Sequence, residues 1–317
     1  MTPLVSVLIP LYNSERWLAM TMESVLAQTW QNLEVIVVND GSKDNSLNVI
    51  KNFESHNIKI INQPNRGASA ARNRAFQEAQ GDLIQFLDAD DLLASDKIEQ
   101  QVRILDEHGM KVVATCKWGR FFTTAAEAQF APQPLWNDLS PVEWVTCLME
   151  GGGMMIPAAW LVPRAIAERA GKWDETLTLN DDGEYFCRVV LASHGVKFCD
   201  EARCFYRSGL LNSLSRSTSP AAYASAFRCF ELCAENLLAK ENSPHTRRAC
   251  AAAFQRVLYS VYPDLPELAR EAEAKVVAFG GTDVRPEGGY VFKLLSGIIG
   301  WKAARRIGRI FYPVKLA

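Results

Sequence analysis

Three acidic clusters carry the chemistry that this sequence offers. The apolar run IQFL leads straight into Asp88, Ala89, Asp90 and Asp91; VIVV ends at Asn39 and Asp40; and Asp181 and Asp182 precede the segment GEYFCR. In an extended segment, side chains two apart share a side, so Asp88 and Asp90 can address one ligand while Asp91 turns away. Paired hard oxygens suit Mg²⁺ or Mn²⁺, which bind through one or two carboxylates and complete their shell with waters and substrate phosphates. The implied substrate carries a diphosphate. Aspartates at strand ends also form turns and cap helices with no ligand at all. Asp181, Asp182 and Glu184 would likewise favour a helix N-terminus through its dipole, whatever else they do.

Other chemistries lack their parts. The first strand runs into PLYNSERW without GxGxxG, and GxxxxGK[ST] occurs nowhere, so a dinucleotide oxidoreductase or P-loop enzyme would have no phosphate cradle. His56, His108, His194 and His245 stand beside no candidate nucleophile, which disfavours a Ser-His or Cys-His hydrolase. The eight cysteines form no CxxC pair and read as reduced thiols.

The elements that must hold these carboxylates follow from short apolar runs alternating with longer amphipathic stretches. Strands are predicted at 5–10, 33–39, 58–62, 83–87 and 112–116, and helices at 17–27, 46–54, 69–79 and 96–107. A strand followed each time by a crossover helix predicts a mostly parallel α/β sheet, its strands covered on both faces and its ligands beyond their carboxyl ends. A second lobe is expected after the prolines at 132, 134 and 141, with a helix at 142–149 and a turn at Gly151, Gly152 and Gly153. AAWLVP reads as a strand, VPRAIAERAG and 183–193 as helices, and 196–198 and 204–207 as two strands. Trp160 and Trp173 read as core residues. Alanine-rich patterns at 221–240 and 245–259 predict a helical C-terminal part after a boundary near residue 215.

In order, the chain presents VSVLIPLYN, EVIVVNDGS, NRGASAARN, GDLIQFLDADD and KWDETLTLNDDGEYFCR. This set, over roughly residues 4–215, resembles the family 2 glycosyltransferases. The resemblance implies a GT-A fold, a mostly parallel sheet flanked by helices with a smaller acceptor-side lobe, and does not reach the helical C-terminal extension that the alanine-rich patterns predict. The corresponding division is 1–118 for the nucleotide, 119–215 for the acceptor and 216–317 for the extension.

It also implies roles. Asp40 would contact the nucleotide base, commonly uracil; Pro10, Tyr12 and Asn13 would line the same pocket; and Arg72 would lie near the ribose or phosphates. Asp88 and Asp90 resemble the family's DxD, Asp88 nearer the ribose and Asp90 the direct ligand of Mn²⁺ or Mg²⁺. From the residues alone, Tyr12 is as readily a packed side chain and Arg72 a solvated helix residue. The base falls in the Asp181 and Asp182 pair, because the family places an acidic dipeptide before a helix with an Arg six residues after it, here Arg188. Asp182 is the preferred base, and Asp181 stands where Glu is commoner. FYRSGLLNSLSR resembles the segment that closes over the diphosphate in many relatives; a His often found there is absent, and Arg207 is the electrostatic substitute. No Q/RxxRW sequence or flanking membrane span is present, so one sugar per encounter is expected.

The expected reaction is a single displacement in which a carboxylate takes the acceptor's hydroxyl proton and the sugar configuration inverts. Partners are then a nucleotide-sugar, with UDP the expected nucleotide, and a glycan or lipid-linked glycan. Two alternatives stay open: a non-catalytic nucleotide-sugar-binding protein on the same fold, or a glycosidase carboxylate pair. A formal charge of -2 gives no field to gather nucleic acid. From Val291 onward there are six Lys or Arg and no Asp or Glu. A helical wheel puts Lys302, Arg305, Arg306 and Arg309 on one face and Trp301, Ala304, Ile307 and Phe311 on the other, which suits either an anionic membrane surface or docking on the main domain. The start of the chain lacks a basic, apolar leader pattern, and the expected location is the cytoplasm, peripheral to the inner face of the plasma membrane.

Overall fold

The computed structural model describes residues 2–53, 55, 57–210 and 217–311. Three near-continuous apolar runs make the centre of the main sheet: β1 (Val5–Leu11), β2 (Leu33–Asp40) and β4 (Leu83–Phe86). Their side chains are buried on both faces because helices cover both, which removes the need for alternation. With β3 (Ile58–Gln63) and β7 (Val162–Pro163), the strand order is β3-β2-β1-β4-β7. All pairings are parallel except that of β4 with β7. The crossovers are α1 (Leu18–Leu26), α2 (Ser46–Lys51) and α3 (Ala68–Glu78). Sequence neighbours β1 and β2 are adjacent, yet β4 lies on the other side of β1. Strand order therefore reverses at β1, and ligands bind beyond the carboxyl ends at such a switch point.

The fifth predicted strand does not join this sheet. It is β6 (Val113–Phe121), which runs past the predicted end and lies in a second sheet of order β5-β8-β6, with β5 at Leu92–Leu93. Among the described residues, an isolated bridge from Ala114 to Leu161 links it back. The two strands expected at 196–198 and 204–207 are one, β8 (Val196–Arg207), whose register against β6 shifts between Cys116 and Lys117. AAWLVP is a strand only at Val162–Pro163, because Pro157–Ala159 form a 3-10 turn. α4 (Lys97–His108), α5 (Pro141–Glu150) and α6 (Arg164–Ala170) fall where the periodicity puts them. Gly151 ends α5 in the left-handed conformation, φ 86°, so the triple glycine is a turn.

An aromatic cluster fixes α7 (Asp181–Leu191) against the end of β4. Phe86 meets Trp173 edge-on at 5.2 Å and Tyr185 at 5.5 Å, Trp173 stacks on Tyr185 at 4.1 Å, and Trp160 stacks on Phe186 at 4.6 Å. Both tryptophans are core residues, as the sequence suggests. Two positions beyond Phe86 stands Asp88, so the packing that buries the rings also brings the start of α7 to the DxD segment.

The helices from Pro220 onward pack on the part of the chain before Leu210. α8 (Pro220–Lys240), α9 (Pro244–Val261) and α10 (Pro266–Ala278) lie against α5, α7 and one another, and Phe227, Leu237 and Phe254 belong to the same continuous core as β1. α11 (Tyr290–Ile299) and α12 (Trp301–Phe311) follow as a helical pair. α12 turns its apolar side inward: Trp301 packs edge-on against Tyr259 at 4.7 Å and Tyr262 at 5.2 Å, and Ala304 is buried. Lys302 and Arg309 pair with Glu273 at 2.7 Å and Asp264 at 2.5 Å. Of the two readings of this helix, the docked one describes it. Among the described residues, no helix is long and apolar enough to cross a membrane.

Candidate active site

The loops after β1 and β2 are knitted together. Asn13, at φ 50°, accepts from the Lys43 amide at 2.8 Å and donates its own amide to Ser42 Oγ at 3.1 Å; the Ser14 amide donates to Ser46 Oγ at 2.8 Å. Gly41 turns the chain at φ 71°, where a Cβ would come within 2.9 Å of the Asn65 amide. Pro10 is half-buried at the tip of β1, while Tyr12 is 43% exposed and so is not a packed core ring. Ser42 and Ser46 escape a sequence reading because single serines in a polar loop carry no pattern.

Asp40 is buried, and both its oxygens are engaged within the chain. They accept from Gln63 Nε2 at 2.8 Å, the Arg66 amide at 2.9 Å and the Gly67 amide at 2.8 Å. Gly67, at φ 91°, is the residue from which α3 starts. A carboxylate on the free amides of a helix start is electrostatically favourable, so Asp40 fixes where α3 begins and how its side chains are aimed.

From α3, Arg72 reaches both remaining acidic clusters. Its guanidinium, 5% exposed, donates to Asp88 Oδ1 at 2.8 Å and to Asp181 Oδ2 at 2.9 Å and lies 4.4 Å over the Trp173 ring. Burial disfavours its charge, but Asp88 and then Asp181 outweigh that and push its pKa up. Arg72 is thus no solvated helix residue; it is the tie between the DxD and the acidic dipeptide. Asn73 beside it clamps the chain at Trp173, donating to its carbonyl and accepting from its amide, both at 2.9 Å.

This tie separates the roles of the dipeptide. Asp181 Oδ2 is held by Arg72 and, at 2.9 Å, by Ser69 Oγ. Among the described residues Asp182 has no ion-pair partner, and its Oδ1 accepts only from the neighbouring Gly183 amide at 2.8 Å. Burial first, and then repulsion from Asp181, push its carboxyl up to about 7 against partial relief from Arg72. A carboxylate so tuned is half-ionised near neutral pH, the poise a general base requires.

The loop bearing the dipeptide is held from behind by the C-terminal extension. Buried Ser225 of α8 accepts from the amides of Thr178 at 2.8 Å and Leu179 at 3.2 Å and donates to the Leu179 carbonyl at 3.3 Å. No local signal in the sequence announces it.

At the DxD, Asp88 is partly exposed, and Asp90 is pushed up to about 7 by burial and then by the charge of Asp88. Asp91 does turn away: it is buried and accepts from the Arg207 amide at 2.9 Å, tying the end of β8 to the turn. Arg207 is buried between the rings of Trp17 at 4.1 Å and Phe121 at 4.4 Å, and its Nε donates to the Asp90 carbonyl at 2.9 Å. Burial pushes its pKa down, while Asp90 and Asp91 favour its charge. The rest of the predicted closing segment, 211–216, lies outside the described residues.

Asp88 and Asp90 fit a divalent cation by their chemistry: the charge of Asp88 adds to burial in raising the proton affinity of Asp90, and a dication relieves that repulsion. Among the described residues no group of three or more His, Cys, Asp or Glu could hold a metal. Such an ion would need water and substrate phosphate as its other ligands, as Mg²⁺ and Mn²⁺ commonly do.

Arg188 does not join this assembly. Its guanidinium forks onto Glu184 at 2.6 and 2.7 Å and donates to the carbonyls of Ala170 and Lys172. That arrangement straps the end of α6 to α7.

The sequence model described as Glycosyl transferase family 2 matches residues 6–165, half of the chain. The chain belongs to glycosyltransferase family 2. The match spans Asp40, Arg72, Asp88 and Asp90 but ends before Asp181, Asp182 and Arg207, whose places rest on the geometry above. An uncharacterized glycosyltransferase of Haemophilus influenzae is 42% identical over 106 residues, 32% of this chain and 42% of that protein. The putative glycosyltransferase EpsH of Bacillus subtilis is 31% identical over 153 residues, 47% of this chain and 44% of its own length. The chain therefore spans less than half the length of these relatives. Among solved structures, S. aureus TarS 1-349 in complex with UDP-GlcNAc aligns with TM-score 0.63 at 18% identity, covering 99% of this chain and 94% of that one. That likeness carries the GT-A fold, and the sheet and helices described above fit it.

Proposed function

We propose that this chain is an inverting glycosyltransferase that moves a sugar from a nucleoside diphosphate, a UDP-sugar, to a hydroxyl of a glycan or lipid-linked glycan, one sugar per encounter. The single observation that carries this reading is the Arg72 bridge. It draws the DxD and the acidic dipeptide to one place and, among the described residues, leaves Asp182 outside any ion pair. The UDP and UDP-GlcNAc complexes of TarS, on the same fold, support the choice of nucleotide.

In this mechanism Asp182 accepts the proton of the acceptor hydroxyl as that oxygen bonds to the anomeric carbon. The carbon's bond to the diphosphate oxygen breaks on the opposite face, so configuration inverts. Asp90 and Asp88 are the residues that would hold Mg²⁺ or Mn²⁺, which when bound supplies Lewis-acid relief of the charge developing on the diphosphate. Arg207, packed beside Asp90, adds a fixed positive charge nearby. Asp181 and Asp40 act through what they hold: one keeps the dipeptide on Arg72, the other keeps α3 in place. Tyr12, Pro10 and Asn13 border the nucleotide side of this site.

A glycosidase pair needs two carboxylates free to flank one bond. Here Asp88 and Asp181 share a guanidinium, which speaks against that reading. The test is a panel of nucleotide-sugars with Mn²⁺ or Mg²⁺, reading nucleotide release with and without hydroxyl acceptors. Acceptor-dependent release with one donor, lost in Asp182→Asn, is expected. Metal-dependent UDP binding with no release from any donor would favour a binding protein, and release unchanged in Asp182→Asn would remove the base assignment.

A further inference from the structure

α11 is unlike the other helices: of its ten residues, YVFKLLSGII, none is buried. Tyr290 is 82% exposed, Val291 67%, Leu294 54% and Ile298 73%. At about 100° per residue these four fall within an arc of about 100°, so they form one apolar stripe, and Lys293 stands on its flank. The opposite side of the helix packs on α12, where Arg305 lies over Phe292 at 5.0 Å. Because α12 turns its own tryptophan inward, it is α11 that presents an uncovered apolar face. Contiguous exposed apolar surface of this kind marks an interaction site.

Charge identifies the occupant. Residues 291–317 carry six Lys or Arg and no Asp or Glu, whereas residues 1–290 carry 28 against 36. Lys293 and Arg306 are exposed and form no ion pair among the described residues. A second copy of the chain would bring the same positive charge to the same face. An anionic surface with an apolar interior complements both features, and it would repel the acidic body while attracting this corner. We propose that the exposed face of α11, with Lys293 on its flank and Arg306 exposed on the adjoining α12, seats the protein on an anionic lipid bilayer. The seat lies apart from the carboxylate site and does not depend on the transfer reading.

The test is co-sedimentation of the full chain with vesicles of phosphatidylcholine alone or a roughly 3:1 mixture with phosphatidylglycerol, at low salt and at about 0.5 M salt. Binding to the mixed vesicles is expected, falling at least about tenfold in high salt. Leu294→Asp with Ile298→Asp should abolish it, and Lys293→Gln or Arg306→Gln should each weaken it about fivefold. Since α11 buries nothing, these variants should keep the parent's circular dichroism and UDP binding. Equal binding to both vesicle types, or variants that bind like the parent, would overturn the proposal. So would a chain that ignores vesicles but sediments as a dimer dissolved by the Leu294 and Ile298 changes. Loss of UDP binding in the parent would strike the transfer reading alone.

Discussion

Replacing Asp182 by Asn should make the protein more stable and less active at once. The side chains match in shape, and the Asn amide oxygen can still accept from the Gly183 amide. What disappears is a charge whose carboxyl burial and Asp181 have pushed from an ordinary 3.8 to about 7. At 1.36 kcal/mol per pH unit, that rise is worth about 4 kcal/mol when the group is fully ionised. Because the side chain is only partly buried, water trims the figure to about 2 to 4 kcal/mol. The sign follows from linkage: between pH 4 and 7 the folded chain holds a proton that the unfolded chain has lost, so this group lowers stability as pH rises. The stability gap between Asp182→Asn and the parent should be near zero at about pH 4, widen toward about pH 7 and level off above it. Urea unfolding at several pH values measures it directly. Acceptor-dependent transfer should fall by about 10² to 10⁴, and the parent's kcat/KM should rise through about pH 7. A gap that stays constant with pH, or a variant destabilised at pH 8, would refute the view of Asp182 as a desolvated, unpaired carboxylate.

Other outcomes follow from neighbouring contacts. Arg72→Lys can meet only one of the two carboxylates, so urea unfolding should report a loss of about 2 to 3 kcal/mol, and an unchanged midpoint would deny the bridge any weight. Ser225→Ala takes away the shared partner of the part-buried amides of Thr178 and Leu179; a loss of about 1 kcal/mol is expected, with kcat lowered more than KM is raised. Because Asp90 must release its proton before binding a cation, Mn²⁺-dependent UDP affinity should weaken about tenfold per pH unit below about 7 and lose its metal dependence in Asp90→Asn. Calorimetry at pH 5.5, 6.5 and 8 tests this, and a flat profile with metal-dependent binding retained by Asp90→Asn would contradict it.

The parallel sheet was legible because its signal is local: an apolar run covered on both sides reads the same in sequence and in space. What failed were pairings that depend on distant partners. Residues 112–116 look like one more sheet strand, yet β6 joins β8, 80 residues on, and nothing near residue 113 says so. The carboxylates were found because Asp at strand ends is a visible pattern. Their division of labour was not, since it rests on one guanidinium that touches Asp88 and Asp181 but not Asp182. Arg188 was singled out by its spacing after Asp182, and in space its guanidinium is taken up by an i, i+4 pair with Glu184 that the sequence reading had not weighed. The wheel drawn for α12 groups Trp301 with Ala304, which do face inward, and with Ile307, which stays 38% exposed; a wheel cannot tell inside from outside, and Tyr259 and Tyr262 decide that for Trp301.

The guanidinium of Arg72 and the carboxylate of Asp181 belong to residues 109 positions apart. An N-terminal fragment folded alone would enclose a cation whose second counter-ion had not yet arrived. Shuffling this front half onto a different rear half would succeed only if the newcomer placed an acid at the same spot. Inheritance of the two halves is thereby coupled through a single ionic joint, even though substrate specificity on either side remains free to drift.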